Sequence, residues 1–184
     1  MPRKNVLSAD NQQGRLSHRL DPWYVSGFVD GEGSFHIAFY QDTQMKTGWK
    51  LIPEFHVSQN SASKYVLQSL VTFFGCGYVK ENHRQRLNDA TYVFVVRDRE
   101  DLLNKIIPFF EKHPLQTEKR HDYRIFSGIV KDMIEGKHRT QNGLQKLISQ
   151  AYSMNGNGRY RKRQRDEIKP SETIRQTPTM SEKI

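Results

Sequence analysis

Apolar positions in the middle of the chain recur with two periods. In GSFHIAFYQ, Phe35, Ile37 and Phe39 share one side while Ser34, His36 and Tyr40 share the other, the two-residue period of a strand. After the turn DTQMKTG, WKLIPEFHVSQ continues as a second strand, in which Pro53 favours an edge or a bulge. Ahead of these strands, Asp21 and Pro22 form a helix start, and the helix WYVSGFVD runs into Gly31 and Gly33, which stop it. Asn60 or Ser61 caps a helix that reaches Phe74 and ends at Gly75. GYVKEN and TYVFVV pair as a second hairpin across the polar loop HRQRLND. Asp98 caps a helix to about Phe110 that Pro108 should break, and residues 117–135 and 140–154 read as amphipathic helices. The order αββαββ followed by helices is an α+β plan with an antiparallel sheet. Helices must cover one sheet face. The other carries His36, Tyr40, Lys50, Glu54, His56 and Lys80, too polar a set for a core.

Composition narrows the picture. The 184 residues carry a formal charge of +9, 35% are hydrophobic and 11% aromatic. The isoelectric point is near 9.7 and the mean hydropathy is −0.79. That length holds one full-sized core, and the aromatic content argues against a wholly disordered chain. No run approaches the roughly 18 apolar residues that span a bilayer, so no membrane partner is expected. No secretory signal is visible at the N-terminus. One cysteine, Cys76, excludes an intramolecular disulfide framework and a cysteine-rich zinc site. A basic chain of this kind expects a polyanion. Residues 1–20 read as a polar tail, 21–154 as the folded domain, and 155–184 as a basic C-terminal tail.

The segment WYVSGFVDGEGSF is the most informative. Ser26 and Gly27 are small enough to let another backbone approach the helix closely. Asp30 and Glu32 fall at its last turn, where the helix dipole does not favour acids. They read either as solvated loop acids or as acids compensated by a cation, which a basic side chain or a divalent metal would supply.

The stretch Val25-Ser26-Gly27-Phe28-Val29-Asp30-Gly31-Glu32-Gly33 resembles the signature of the LAGLIDADG homing endonucleases, and the αββαββα order around it is similar to that family's plan. The resemblance covers roughly residues 20–154. It implies a curved antiparallel DNA-binding sheet with helices on its other face, and catalysis dependent on magnesium or manganese. By the same resemblance Glu32 binds the metal, with the Gly31 carbonyl as a further ligand, although Glu stands here where the family more often has Asp. HVSQN is similar to the strand end at which a glutamine orients the hydrolytic water, which points to Gln59; its plainer role is a strand-end cap. PLQTEKRHDY is similar to the segment bearing a basic residue near the scissile phosphate. Lys119 is the first choice there and Arg120 the fallback; a solvated charge at a helix start is the plainer reading. GCGYV resembles the family's turn into its third strand. One motif supplies half of such a site, so the resemblance implies a homodimer joined about the motif helices, with Tyr24, Ser26, Gly27 and Asp30 at the interface. It further implies a double-strand cut with 3′ overhangs.

A strand of about ten residues at ~3.3 Å each spans about ten base pairs, so two copies read roughly 20. Ser34, His36, Ala38, Tyr40 and Asp42, then Lys50, Ile52, Glu54 and His56, are expected to face the major groove of double-stranded DNA, with Lys80, Asn82, Arg84, Arg86 and Thr91 extending the surface. Arg159, Arg161, Lys162, Arg163 and Arg165 crowd one short segment and are expected on phosphates. The alternatives are an intron-encoded maturase acting on RNA, a non-cleaving DNA-binding protein of the same fold, and a basic ribosome-associated protein. Family members are usually intron-encoded in organelles, bacteria or archaea.

Overall fold

The computed structural model describes residues 20–82 and 90–156, together with Arg165 and Ile168. Asp21 starts the first helix, α1 (Pro22–Glu32), by accepting the N–H groups of Trp23 and Tyr24, and Pro22 occupies the first helical position. The helix does not stop at Gly31. It runs through Glu32, and the Gly33 N–H closes it on the Val29 carbonyl. Strand β1 (Gly33–Gln41) begins with no intervening loop. The exit is so tight that a Cβ on residue 33 would lie 2.5 Å from Val29 Cγ1 and 2.7 Å from the Val29 carbonyl oxygen. Only glycine fits that corner.

Strands β1, β2 (Trp49–Asn60), β3 (Tyr78–Asn82) and β4 (Thr91–Val96) form one sheet in the order β1-β2-β4-β3, every neighbouring pair antiparallel. Pro53 therefore lies in an internal strand, against the expectation of an edge, yet β4 pairs only with Phe55–Asn60. At Pro53 the sheet has a single neighbour, Ile37 of β1, and the proline faces a locally open side. The alternation in β1 is as its sequence predicts: Phe35 and Ile37 are fully buried and Phe39 packs against the core, whereas Tyr40 is exposed.

Helix α2 (Lys64–Phe74) comes after a short turn capped by the Asn60 side chain and ends at Gly75, which adopts φ of 61°. Asp98 caps α3 (Arg99–Asp101), accepting from Glu100 and Asp101. Pro108 does not break the helix that contains it. A π-helical turn (Leu102–Ile106) precedes α4 (Ile107–Lys112), and the Ile107 N–H reaches back five residues to Leu102. The wider turn makes room for the proline ring within one continuous helical run. Helices α5 (Lys119–Ile134) and α6 (Gln141–Tyr152) complete the fold.

Among the described residues, the helices that pack on the sheet cover its odd-numbered β1 and β2 side. Phe35 is the hub there, in ring contact with Phe55, Phe110, Tyr123 and Phe126. The end of α6 is tied to the sheet by Asn155, whose amide donates to Phe35 O at 3.0 Å while its N–H donates to Asp122. Within the stretch read as a C-terminal tail, Ile168 is buried in this same core and Arg165 is exposed. Residues 1–19, Arg84, Arg86, Arg159, Arg161, Lys162 and Arg163 lie outside the described residues. Gly33→Ala is expected to lower unfolding free energy by about 1–3 kcal/mol in urea titration. Gly27→Ala, where an added Cβ meets nothing within 4 Å, should leave it unchanged or raise it by up to ~1 kcal/mol.

Candidate functional site

The carboxyl end of α1 concentrates negative potential: unpaired helix carbonyls, the dipole, and the acids Asp30 and Glu32. Lys119, first residue of α5, answers it. Its Nζ donates to the carbonyls of Val29 at 2.9 Å, Asp30 at 2.8 Å and Gly31 at 3.3 Å. All three ammonium protons are thereby engaged. Burial lowers the Lys119 pKa from its ordinary value, against the opposing pull of Asp30, Glu32 and Asp122.

The same helix aims that lysine. Asp30 accepts the Gln116 N–H at 2.6 Å and the Thr117 hydroxyl at 2.8 Å, with the Thr117 N–H at 3.3 Å, so its carboxylate holds the segment that begins α5. One turn earlier the Ser26 hydroxyl donates to His113 O at 3.0 Å, and Trp23 packs edge-on against the His113 ring. Two of the residues expected at an interface make contacts within this chain. Ser26 is buried inside its own chain, and Asp30 spends both oxygens within it. Tyr24 and Gly27 do lie exposed, and with Phe28 and Gly31 they form a stripe at helical spacing along α1. Tyr24 stacks on Phe28 across 5.9 Å. The spacing 24, 27, 28, 31 is visible in the sequence and puts Phe28 and Gly31 on the same stripe.

Glu32 is exposed, and no described residue bonds its carboxylate. Gln59 is half-buried near the end of β2, two positions beyond Val57, which faces Gly33, and so belongs to the same end of the sheet as Glu32. Of the two basic candidates, Lys119 meets α1. Arg120 instead lines an open cleft with Tyr123 and Arg124.

On the uncovered sheet face the register aligns Ser34, His36, Ala38 and Tyr40 with Lys50, Ile52 and His56, and sets Lys80 and Asn82 beside Thr91 and Val93. Each of these predicted positions is at least partly exposed; Val93 is not among them. Asp42 differs: its carboxylate accepts the Gln44 N–H at 2.9 Å and shapes the β1–β2 turn. Glu54 differs more, being 3% exposed at the middle of the face. Its Oε2 lies 2.7 Å from His36 Nε2 and 3.0 Å from His56 Nε2, and its Oε1 is paired with Arg97. Burial would raise the Glu54 carboxyl, but the two imidazoles outweigh that and hold it well below the usual carboxylate range. Burial likewise pushes His56 down. Val93 and Val95 of β4 are buried on this side too, so the face is less uniformly polar than its β1 and β2 residues imply. Arg97 was missed, although it continues the odd-numbered alternation of β4. Asp30→Ala is expected to cost about 2 kcal/mol in urea unfolding, because it strips the acceptor from two backbone N–H groups and a hydroxyl. Asp30→Asn, which keeps one accepting oxygen, should cost less.

Comparison with known proteins agrees with this geometry. Residues 25–130 match the family described as LAGLIDADG endonuclease. The chain is 36% identical over 138 residues to probable intron-encoded endonuclease 2 of Neurospora crassa, covering 74% of this chain and 29% of that protein. It is 32% identical over 90 residues to DNA endonuclease I-CeuI of Chlamydomonas moewusii, covering 49% and 40% respectively. It thus spans less than a third of the Neurospora protein and under half of I-CeuI. Among solved structures, the homing endonuclease I-TnaI superposes with a TM-score of 0.71 at 38% identity, over 82% of this chain and 95% of that one. The LAGLIDADG homing endonuclease I-SmaMI bound to cleaved DNA gives 0.70 at 37% identity, over 74% and 44%. The family match takes in more than half of the chain, including most of the helix that carries Glu32, the sheet and most of α5, and the chain belongs to the LAGLIDADG endonuclease family.

Proposed function

We propose that this chain is a DNA endonuclease that hydrolyses phosphodiesters in both strands of a specific duplex, with a divalent cation held at the end of α1. The observation that carries the reading is the exposed, unbonded Glu32 carboxylate at a helix end whose other groups are already satisfied by Lys119. The donor set fits such an ion. A carboxylate and the neighbouring Gly31 carbonyl are hard oxygen ligands, the chemistry that magnesium or manganese takes, leaving positions for water and phosphate. Calcium ions accompany uncleaved DNA in one I-SmaMI structure. When bound, the cation neutralises charge on the phosphate and lowers the pKa of attacking water.

The chain's own residues do the rest. Lys119 keeps positive charge beside Glu32 and stabilises negative charge developing on the phosphate. Its hydrogen bond to Gly31 O is its longest, and so the one most readily exchanged for a phosphate oxygen. Gln59, at the same end of the sheet, has an amide suited to orienting water. The uncovered sheet face reads base edges through Ser34, His36, Tyr40, Lys50, Lys80, Asn82 and Thr91, and Ala38 and Ile52 give it shape. Arg165, with the cations at 159, 161, 162 and 163, holds the backbone without reading sequence.

One Glu32 serves one strand. A second copy therefore docks on the stripe of exposed Tyr24, Gly27 and Gly31 and partly buried Phe28, giving an isologous homodimer that reads roughly 20 near-palindromic base pairs and leaves 3′ overhangs. Selection of cleaved molecules from randomised duplexes tests the activity, the site length and its symmetry together. Glu32→Gln is expected to reduce cleavage by about 10²–10³-fold while duplex affinity, read by fluorescence anisotropy, stays within a few-fold. Wild-type protein that cuts no duplex but speeds intron splicing would mark a maturase instead. Gly27→Leu should leave urea unfolding nearly unchanged, yet shift sedimentation velocity to the monomer and remove double-strand cutting.

A further inference from the structure

The middle of the uncovered sheet face holds a second ligand set, separate from the end of α1. His36, Glu54 and His56 each direct one donor atom into a shared space, all within 4.8 Å of one another. The backbone imposes this: His36 is the cross-strand partner of Glu54, and His56 comes two residues later on the same face. The imidazoles meet edge to face with centroids 4.5 Å apart, and both approach the same carboxylate oxygen.

Glu54 is more than nine-tenths buried, with His36 and His56 on one carboxylate oxygen and Arg97 on the other. Burying that charge among imidazoles carries a cost that a bound cation would reduce. Two imidazole nitrogens and one carboxylate oxygen are the donors of open three-ligand zinc sites. At ~2.0–2.1 Å per bond a tetrahedral ion sets its ligands about 3.3 Å apart. The two histidine–carboxylate separations, 2.7 and 3.0 Å, fall short of that by a few tenths of an ångström, and the two imidazole nitrogens lie within 4.8 Å of each other. Arg97, paired with the carboxylate's other oxygen, stands where an outer partner holds a ligating carboxylate. The His36 and His56 side chains remain partly exposed.

We propose that His36, Glu54 and His56 form a binding site for a zinc-class transition metal ion that clamps β1 to β2 at the centre of the DNA-facing sheet. Its nitrogen donors separate it from the all-oxygen set at Glu32, which prefers magnesium. Metal-bound chain would present a positive charge to the duplex where metal-free chain presents imidazole N–H groups.

The test uses the full chain stripped with EDTA, titrated with zinc chloride in a calorimeter and with cobalt chloride in a visible spectrometer. One zinc per chain is expected, unaffected by excess magnesium, with the intense visible bands of four-coordinate, nitrogen-ligated cobalt and a raised thermal midpoint. Glu32→Gln should bind zinc as tightly as wild type. His36→Gln, at the more exposed histidine, should weaken zinc at least tenfold while far-ultraviolet circular dichroism stays unchanged, and His56→Gln should do the same. The cobalt spectrum of the wild type tests the site even where a variant fails to fold. Absence of saturable zinc binding, weak octahedral cobalt bands, or zinc binding that survives both histidine substitutions in folded protein would overturn the proposal.

Discussion

The architecture of the candidate site turns on one ammonium group. Lys119 Nζ closes the carboxyl end of α1 by donating to three successive carbonyls, and so allows a helix to end in two acids without a local charge penalty. The contact is reciprocal. Asp30 at that helix end bonds the segment 116–117, which positions the start of α5 and therefore Lys119 itself. Neither group is aimed without the other. Because Asp30 and Lys119 satisfy each other's elements, Glu32 is the acid left over, exposed and unbonded at the junction of helix and sheet.

This division of labour gives the two acids of the motif different jobs. The first is structural and bonded within the chain. The second is left open to solvent and to whatever meets the end of the sheet. Burying Ser26 against His113 works in the same direction, tying α1 inward so that Tyr24, Gly27 and Gly31 are presented outward, with Phe28 partly buried beside them. Gly33 makes the geometry possible, since the chain turns from helix to strand against Val29 with no room for a side chain. The uncovered sheet face has its own centre, the buried carboxylate of Glu54 ringed by two imidazoles and a guanidinium. A charge in that position is tolerated because its partners come from the adjacent strand, from two residues along its own strand, and from the end of β4.

Much of this was legible in the order of residues. The alternation of Phe35, Ile37 and Phe39, the caps Asp21, Asn60 and Asp98, and the glycine at 75 each act over a few residues, so local physics suffices to place the elements. Other positions depend on the geometry of the turns and strands around them. Pro108 breaks an isolated helix, but a π turn accommodates it here. Pro53 belongs at an edge, and the strand beside it ends two residues short. Asp42 alternates with Ala38 and Tyr40 in the sequence, and its carboxylate also shapes the turn by accepting the Gln44 N–H.

By itself the sequence determined the α+β order, the helix that carries the motif, and the presence of acids at its end, because periodicity and capping depend on near neighbours. It also named Lys119 and Glu54. Only the tertiary structure decided what those residues do: that Lys119 caps α1 from 87 residues beyond Glu32 in the chain, that Asp30 is spent internally, and that Glu54 is buried among His36, His56 and Arg97. Hydrogen bonds and charge act through space at about 3 Å, and the pairs that matter here lie on different elements, brought together when the helices close over the sheet.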